Sequence, residues 1–313
     1  MIIILSVLLA LLITVVILMF TLFSLKNVEL NFKTETLNVS EGMKDEIQAE
    51  VLKTGGSVLF VGKEKIIKDL EKKFPYIKIV NIETQIPNKF VVHCVEREEL
   101  FVVQSQGKTY FLDEEFKILR IESSSYESQE GMPVVLEFEN LMYDESDPTT
   151  IKPYTLELNL GASEEGQFLT LKSSSEAGAY FAEKLESISK SILTSFEENN
   201  RGIADVRSMY KKFKIFYYEE VVETSSYWHL CLRLVGKDGY VFEIRDADNH
   251  LPEKFQIMFQ AFSEVQKENL TYLNNSKLIV YKNGAIYKYY FEKITGGTWK
   301  ELDYRYYHLY LLG

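Results

Sequence analysis

From Met1 to Leu25 the chain carries no charged side chain, and the run Ile2–Ser24 is mostly Ile, Leu, Val, Met and Phe. No other feature constrains the fold as strongly. About 23 residues at a rise of roughly 1.5 Å give roughly 35 Å of helix, enough for a hydrocarbon core of about 30 Å. Ser6, Thr14, Thr21 and Ser24 are hydroxyls that a helix can satisfy on its own preceding carbonyls. A cleaved signal peptide is the alternative. It requires a basic start, a shorter apolar core and a small-residue cleavage site, and the run shows none of the three. Residues 2–24 are therefore expected to be a transmembrane helix in the cell (inner) membrane, with the N-terminus cytoplasmic and residues beyond 25 extracytoplasmic or periplasmic. Lys26 and Lys33 run against that orientation, but long domains translocate largely regardless of charge. A start slightly upstream that adds a few basic residues is expected on the same ground.

All the charge lies beyond the apolar run, so the remainder carries the whole net charge of −11. A surface of that sign repels phosphate backbones, which argues against nucleic acid as a partner. The roughly 290 residues after the run are too many for one small core and suit two domains. Cys94 and Cys231 stand far apart in sequence, so a disulfide between them is open and the fold does not depend on one.

Periodicity then orders the elements. Val28, Leu30 and Phe32 alternate as in a strand over 28–37. Ser40 reads as an N-cap, followed by a helix burying Met43, Ile47, Val51 and Leu52 and ending at Gly55-Gly56. Ser57–Val61 is a short apolar link. A second helix, 63–74, buries Ile66, Ile67 and Leu70 and stops before Pro75. Strands at 76–84 and 89–97 flank a turn at Pro87-Asn88. The order is β-α-α-β-β.

From residue 99 strands dominate: 100–104, 109–112, 116–121 and 132–138, then an acidic insertion over 140–153. Ser173-Ser-Ser-Glu176 is a capping box opening a helix with Ala177, Phe181, Leu185, Ile188, Ile192 and Phe196 on one face. Strands follow at 203–208, 212–219, 227–235 and 240–245, with Trp228, Leu230, Leu232 and Leu234 facing inward. A helix from Pro252 buries Phe255, Phe259, Phe262 and Val265. Asn283-Gly284 joins strands 277–281 and 285–290, and an aromatic strand, 302–311, comes last. The expected class is α+β: a transmembrane helix over 2–24, a small β-α-α-β-β domain over 26–97, and a larger, mostly antiparallel β domain with two helices over 98–313.

Five short pieces of the first domain occur in a recognisable order: Gly55-Gly-Ser-Val-Leu-Phe-Val61, Lys65-Ile-Ile-Lys-Asp-Leu-Glu71, Phe74-Pro-Tyr-Ile-Lys-Ile-Val80, Ile86-Pro-Asn-Lys-Phe-Val-Val92 and Val95-Glu-Arg97. Together they resemble the POTRA domain of the bacterial cell-division family FtsQ/DivIB. Phe111-Leu-Asp-Glu-Glu-Phe-Lys-Ile-Leu119 is similar to that family's next element, with Phe116 where Gly is frequent. The motif residues carried by the resemblance are Gly55, Gly56, Pro75, Pro87 and Arg97. Physically the glycines stop a helix by taking positive φ, Pro75 ends the next helix and Pro87 sets a turn. Two readings stand for Arg97: a contact at the junction with the next domain, or a solvated strand end.

The resemblance weakens beyond residue 121. Leu278-Ile-Val-Tyr281 stands where the family often shows Asp-Leu-Arg-Tyr, and Asp303-Tyr-Arg-Tyr306 has similar letters later in the chain. The family uses its last strands to hold the membrane helices of FtsB/DivIC and FtsL, so the resemblance implies partner contact here. Tyr281, Tyr287, Tyr289, Arg305 and Tyr306 are the expected contact residues. Tyr supplies large contact area with few torsions to freeze, and the bland alternative is that strand alternation turns half of the aromatics into core.

Signals for chemistry are missing. His93, His229, His250 and His308 have no partner at metal-ligand spacing, and no nucleophile-elbow, Walker or dinucleotide glycine pattern occurs. His93 and His229 read as solvent-face or edge residues of strands. Asp246-Ala-Asp248 reads as a solvated turn before paired carboxylates. No enzyme, cofactor or metal is expected. The implied function is a bitopic scaffold that helps control septal peptidoglycan synthesis. The alternatives are a POTRA protein of outer-membrane assembly or secretion, and a membrane-anchored cell-wall hydrolase.

Overall fold

The computed structural model describes residues 2–127, 131–138, 158–160, 163–173, 210–222, 225–236, 240–244, 250–256, 277–282, 285–293 and 299–307, with single positions 179, 183, 207 and 247. It is a mixed α+β structure whose chain divides into two compact units. One comprises Met1–Glu98 with Glu165–Gln167, the other Glu99–Glu164 with Phe168–Gly313.

The first unit opens with α1, Ile2–Leu22, 21 residues without an acidic or basic group at either end. Thr14 Oγ1 donates to the Ala10 carbonyl and Thr21 Oγ1 to the Ile17 carbonyl, each at 2.9 Å, so the hydroxyls are satisfied within the helix. Side chains of α1 are described without a break only from Leu8 to Leu22, roughly 22 Å of helix. Among the described residues no helix is long and apolar enough to cross a membrane. The helix also stops at Leu22, because Ser24 leaves it to pair with Ser57.

Strand β1, Asn27–Phe32, follows, then α2, Glu41–Lys53, and α3, Lys63–Lys73, and then β2, Ile77–Gln85, and β3, Lys89–Glu96. The expected strand 28–37 thus ends at Phe32, five residues early. The Ser40 hydroxyl accepts from the Met43 amide at 3.3 Å, as an N-cap should. Gly55 and Gly56 take φ of 59° and 84°, the left-handed region that lets the chain leave the helix. The strand order is β1-β3-β2, with β1 parallel to β3 and β2 antiparallel to it. Helix residues Ile47, Val51, Ile66 and Leu70 pack on sheet residues Ile77, Ile79, Ile82, Phe90, Val92 and Cys94 in one core. Leu52, expected inside, is exposed. It directly follows Val51, about 100° round the helix, which turns it off the buried face.

The second unit is built on a ten-stranded sheet ordered β15-β14-β13-β12-β11-β10-β7-β4-β5-β6. The strands are β4 Phe101–Ser105, β5 Lys108–Leu112, β6 Ile118–Glu122, β7 Val134–Phe138, β10 Tyr210–Val222, β11 Ser225–Gly236, β12 Tyr240–Ile244, β13 Lys277–Lys282, β14 Ala285–Lys293 and β15 Trp299–Tyr307. A separate hairpin pairs β8, Leu158–Leu160, with β9, Leu171–Ser173. The large sheet is mostly antiparallel, with parallel contacts at β7–β10, β4–β7 and β12–β13. Parallel neighbours need long crossover connections. The two helices expected from the sequence fall in such gaps, 139–209 and 245–276.

Of those helices the described residues include a helical stretch at 251–256, in which Phe255 is fully buried. The capping box at 173–176, the face from Ala177 to Phe196 and the insertion 140–153 lie largely or wholly outside the described residues. The expected strand 203–208 is corrected at Arg207, which is helical. Strands β10 and β11 run longer than expected because they pair over almost their whole length, Val222 with Ser225 through Tyr210 with Gly236. Leu232 and Leu234 of β11 are fully buried, as alternation predicted. In β4 and β5, by contrast, Phe101, Val102 and Val103 and Thr109 through Leu112 are buried consecutively. Such runs mark strands covered on both faces.

Candidate functional site

Glu96 and Arg97, at the end of β3, both turn back into the first unit. The Glu96 carboxylate accepts from the Leu37 amide at 2.6 Å and from the Asn38 amide, holding the segment ahead of α2. Arg97 is only 5 % exposed. Its guanidinium pairs with Glu71 Oε2 of α3 at 3.1 Å and donates to the Ile77 carbonyl at 3.3 Å. Glu71 Oε1 accepts from the Ile79 amide at 2.8 Å. One partly buried carboxylate thus ties α3, β2 and the end of β3 together, and Arg97 is not the solvated strand end that one reading offered. Glu71 was visible in the sequence only as the last letter of a motif; nothing local marked its partner 26 residues away.

Pro75 follows the last residues of α3 and Pro87 sits in the β2–β3 turn, its peptide bond with Ile86 being cis. Cys94 is a free thiol, buried in the core. Burial, with a smaller push from the nearby Glu71 charge, raises it to about 12, so it holds no thiolate at neutral pH and is a packing residue. His93 lies 3.4 Å from the Glu83 carboxylate on the neighbouring strand and is partly exposed.

In the second unit the turn Asp113–Lys117 shows what Phe116 meets at the position where the resemblance points to Gly. Phe116 has φ of 63°, where a side chain is strained. The buried Asp113 carboxylate accepts from the Glu115 and Lys117 amides at 2.9 and 2.8 Å, which holds the turn closed. The Phe116 ring is buried 5.5 Å from Phe101, and Phe213 lies 6.1 Å from Phe101 on its own side. A left-handed non-glycine backbone costs about 1–3 kcal/mol, whereas removing a buried Phe ring costs about 3–5 kcal/mol. The ring outweighs the strain, so Phe is stable where Gly would be easier.

The expected contact residues sit on the last three strands of the sheet. Tyr281 is in β13, Tyr287 and Tyr289 in β14, and Arg305 and Tyr306 in β15, the strand that ends the sheet order. Register brings Tyr287 opposite Tyr306, Tyr289 opposite Tyr304, and Arg305 opposite Lys288. Tyr281 is opposite Ile286. Positions 287, 289, 304 and 306 therefore share one face of the sheet, while 281 and 305 share the other. The five residues are collected on adjacent strands but divided between two faces. Alternation alone separates the neighbours Arg305 and Tyr306; which of them joins Tyr287 and Tyr289 was not readable from spacing, because the bulge between Tyr290 and Phe291 sets the β14–β15 pairing. Asp246 and Asp248 lie outside the described residues. Among the described residues no three His, Cys, Asp or Glu side chains gather as metal ligands.

A comparison with curated proteins finds no match to the chain. Residues 36–97 match the family model described as POTRA domain, FtsQ-type. The match takes in α2, α3, β2, β3 and Arg97 and leaves out β1, which completes the sheet from upstream. The chain therefore carries a POTRA domain of the FtsQ type.

Proposed function

We propose that this chain is a non-catalytic, bitopic scaffold of bacterial cell division. The carrying observation is an FtsQ-type POTRA domain followed by a large sheet whose last strand, β15, has a neighbour on one side only in the strand order. In this reading α1 crosses the membrane once. Its 21 residues reach about 32 Å as one helix, against about 30 Å of hydrocarbon. The domains spanning about 26–97 and 98–313 then lie on the extracytoplasmic side. The edge of β15 that has no neighbour among the described residues accepts a partner segment by strand addition, with positions 287, 289 and 306 on one face and 281 and 305 on the other. The partners are short membrane proteins resembling FtsB/DivIC and FtsL, and the outcome is control of septal peptidoglycan synthesis without a bond being made or broken here.

The test is affinity purification of the tagged full chain from native membranes, with the co-purifying proteins identified by mass spectrometry. Short single-span coiled-coil proteins are expected with the native chain and depleted with Tyr306→Ala. Recovery of β-barrel proteins in their place, or clearing of peptidoglycan by the purified chain, overturns the reading.

A further inference from the structure

Three of the exposed apolar side chains of the POTRA domain, Leu59, Phe60 and Ile86, stand on the two loops that meet the end of α1. The Val58 amide donates to the Phe23 carbonyl at 2.7 Å, the Leu25 amide to the Gly56 carbonyl at 3.0 Å, and Ser24 bridges Ser57. These contacts fix the α2–α3 link level with the end of α1. On the other side, the Lys26 and Asn27 amides donate to the Asn88 carbonyl at 2.9 and 3.2 Å, which brings the β2–β3 turn to the same level. The link exposes Leu59 (41 %) and Phe60 (70 %), and the turn exposes Ile86 (70 %). Ser57 and Val58 between them are buried, so the loop divides its residues between core and outside. The Phe60 ring lies 6.2 Å from that of Phe20, which stands three residues before Phe23 and so about 4.5 Å further into α1.

We propose that the loops 57–61 and 86–88 insert into the lipid interface beside α1, with Leu59, Phe60 and Ile86 as the inserted side chains and the bilayer as their partner. The proposal rests on the reading that α1 crosses the membrane. The occupant follows from continuity: the Phe60 ring packs near Phe20 of a helix without a charged side chain, and exposed apolar groups at the end of such a helix lie at the depth where aromatic residues partition between headgroups and acyl chains. Lys26, whose amide is bonded to Asn88, is exposed at the same end. A lysine there carries its charge to headgroup phosphates while its stem covers apolar surface. Three contacts with lipid around one helix set the height and tilt of the domain above the membrane, which a single flexible tether would leave free.

The opposite end of the sheet supplies the control. Leu37 is 90 % exposed, and its amide is held by Glu96 at the far end of β3, about 24 Å along the strand from Lys89. The full chain, with Cys231→Ser, is reconstituted in vesicles of phosphatidylethanolamine and phosphatidylglycerol. Single spin labels replace Ile13, Leu37, Phe60 or Ile86, all of which are exposed. Cys94 is buried and its thiol is pushed up to about 12, so it stays unlabelled. Collision with the water-soluble nickel complex NiEDDA is expected to be at least about threefold lower at 60 and 86 than at 37, with oxygen collision raised, as for side chains about 5–10 Å into the interface. A label at 13 that is shielded while those at 60 and 86 match 37 overturns the proposal and leaves the span standing. A label at 13 open to NiEDDA removes the span and the proposal with it.

Discussion

The POTRA domain and the far end of the large sheet solve the same problem, holding strands in register, by different means. In the POTRA domain short-range devices and one partly buried ion pair lock the joints: the Ser40 cap, the Gly55-Gly56 exit, and Glu71–Arg97 between α3 and the end of β3. Strands β13 to β15 rely on each other, Lys282 opposite Ala285 and Tyr287 between Val280 and Tyr306. The turn at Asp113–Phe116 stands between these extremes, a local device that tolerates strain because its side chain is buried. The POTRA sheet ends on edge strands, β1 and β2, each with one neighbour in the strand order. A sheet that ends on β15 keeps an edge for strand pairing. What separates the two regions is how register is held: by local devices and an ion pair in the first, by strand-to-strand pairing in the second.

Substitutions can break this division, beginning with the largest expected effect. Phe116→Ala keeps the left-handed strain and loses the ring, so the second unit should lose about 3–5 kcal/mol, read by denaturant unfolding. Phe116→Gly should be milder by about 1 kcal/mol, since only the strain is relieved. Equal values for the two would show that the backbone is not strained there. Arg97→Ala removes the buried guanidinium from the partly exposed Glu71 and should destabilise the POTRA domain by about 2–3 kcal/mol, below the usual buried-pair loss because Glu71 keeps water access and still accepts from Ile79. The appearance of Cys94 reactivity toward a thiol reagent at lower denaturant reports that unfolding specifically. Tyr306→Ala should weaken partner binding by about 2 kcal/mol, roughly 30-fold, as a central interface tyrosine does; unchanged affinity would move recognition off β15. Ser40→Ala should cost about 1 kcal/mol through the lost cap. The smallest effect is at Glu50, whose carboxylate accepts from Lys53 and Lys73, which hold it near a pKa of about 2 against an ordinary 4.5. A lowered folded value stabilises above the unfolded one, so this contribution is full near neutral pH and fades as pH falls from 4.5 toward 2. An acid titration of Glu50→Gln should lack that component.

Legibility followed the range of the interactions. Ser40, Gly55, Gly56 and Pro87 were readable because capping, positive φ and turn geometry depend on residues within a few positions. Leu52 and the strand 28–37 were misjudged because apolar spacing alone does not say where the sheet ends or which helical stripe meets it. Lys282 and Ala285 pair as expected across the two-residue link, so the β13–β14 hairpin was legible. Which of Arg305 and Tyr306 shares a face with Tyr287 and Tyr289 was not, since a bulge shifts β15 against β14 after Tyr290.

The order β-α-α-β-β, the uncharged first segment and the absence of motif-level catalytic signatures belong to the sequence by itself, because each rests on side-chain type and local spacing. The parallel seat of β1 beside β3, the pairing of Arg97 with Glu71, and the gathering of Leu59, Phe60 and Ile86 around the end of α1 were decided only in three dimensions. Each depends on which distant segments the core brings together, and burial of apolar surface has no direction along the chain from which that partner could be read.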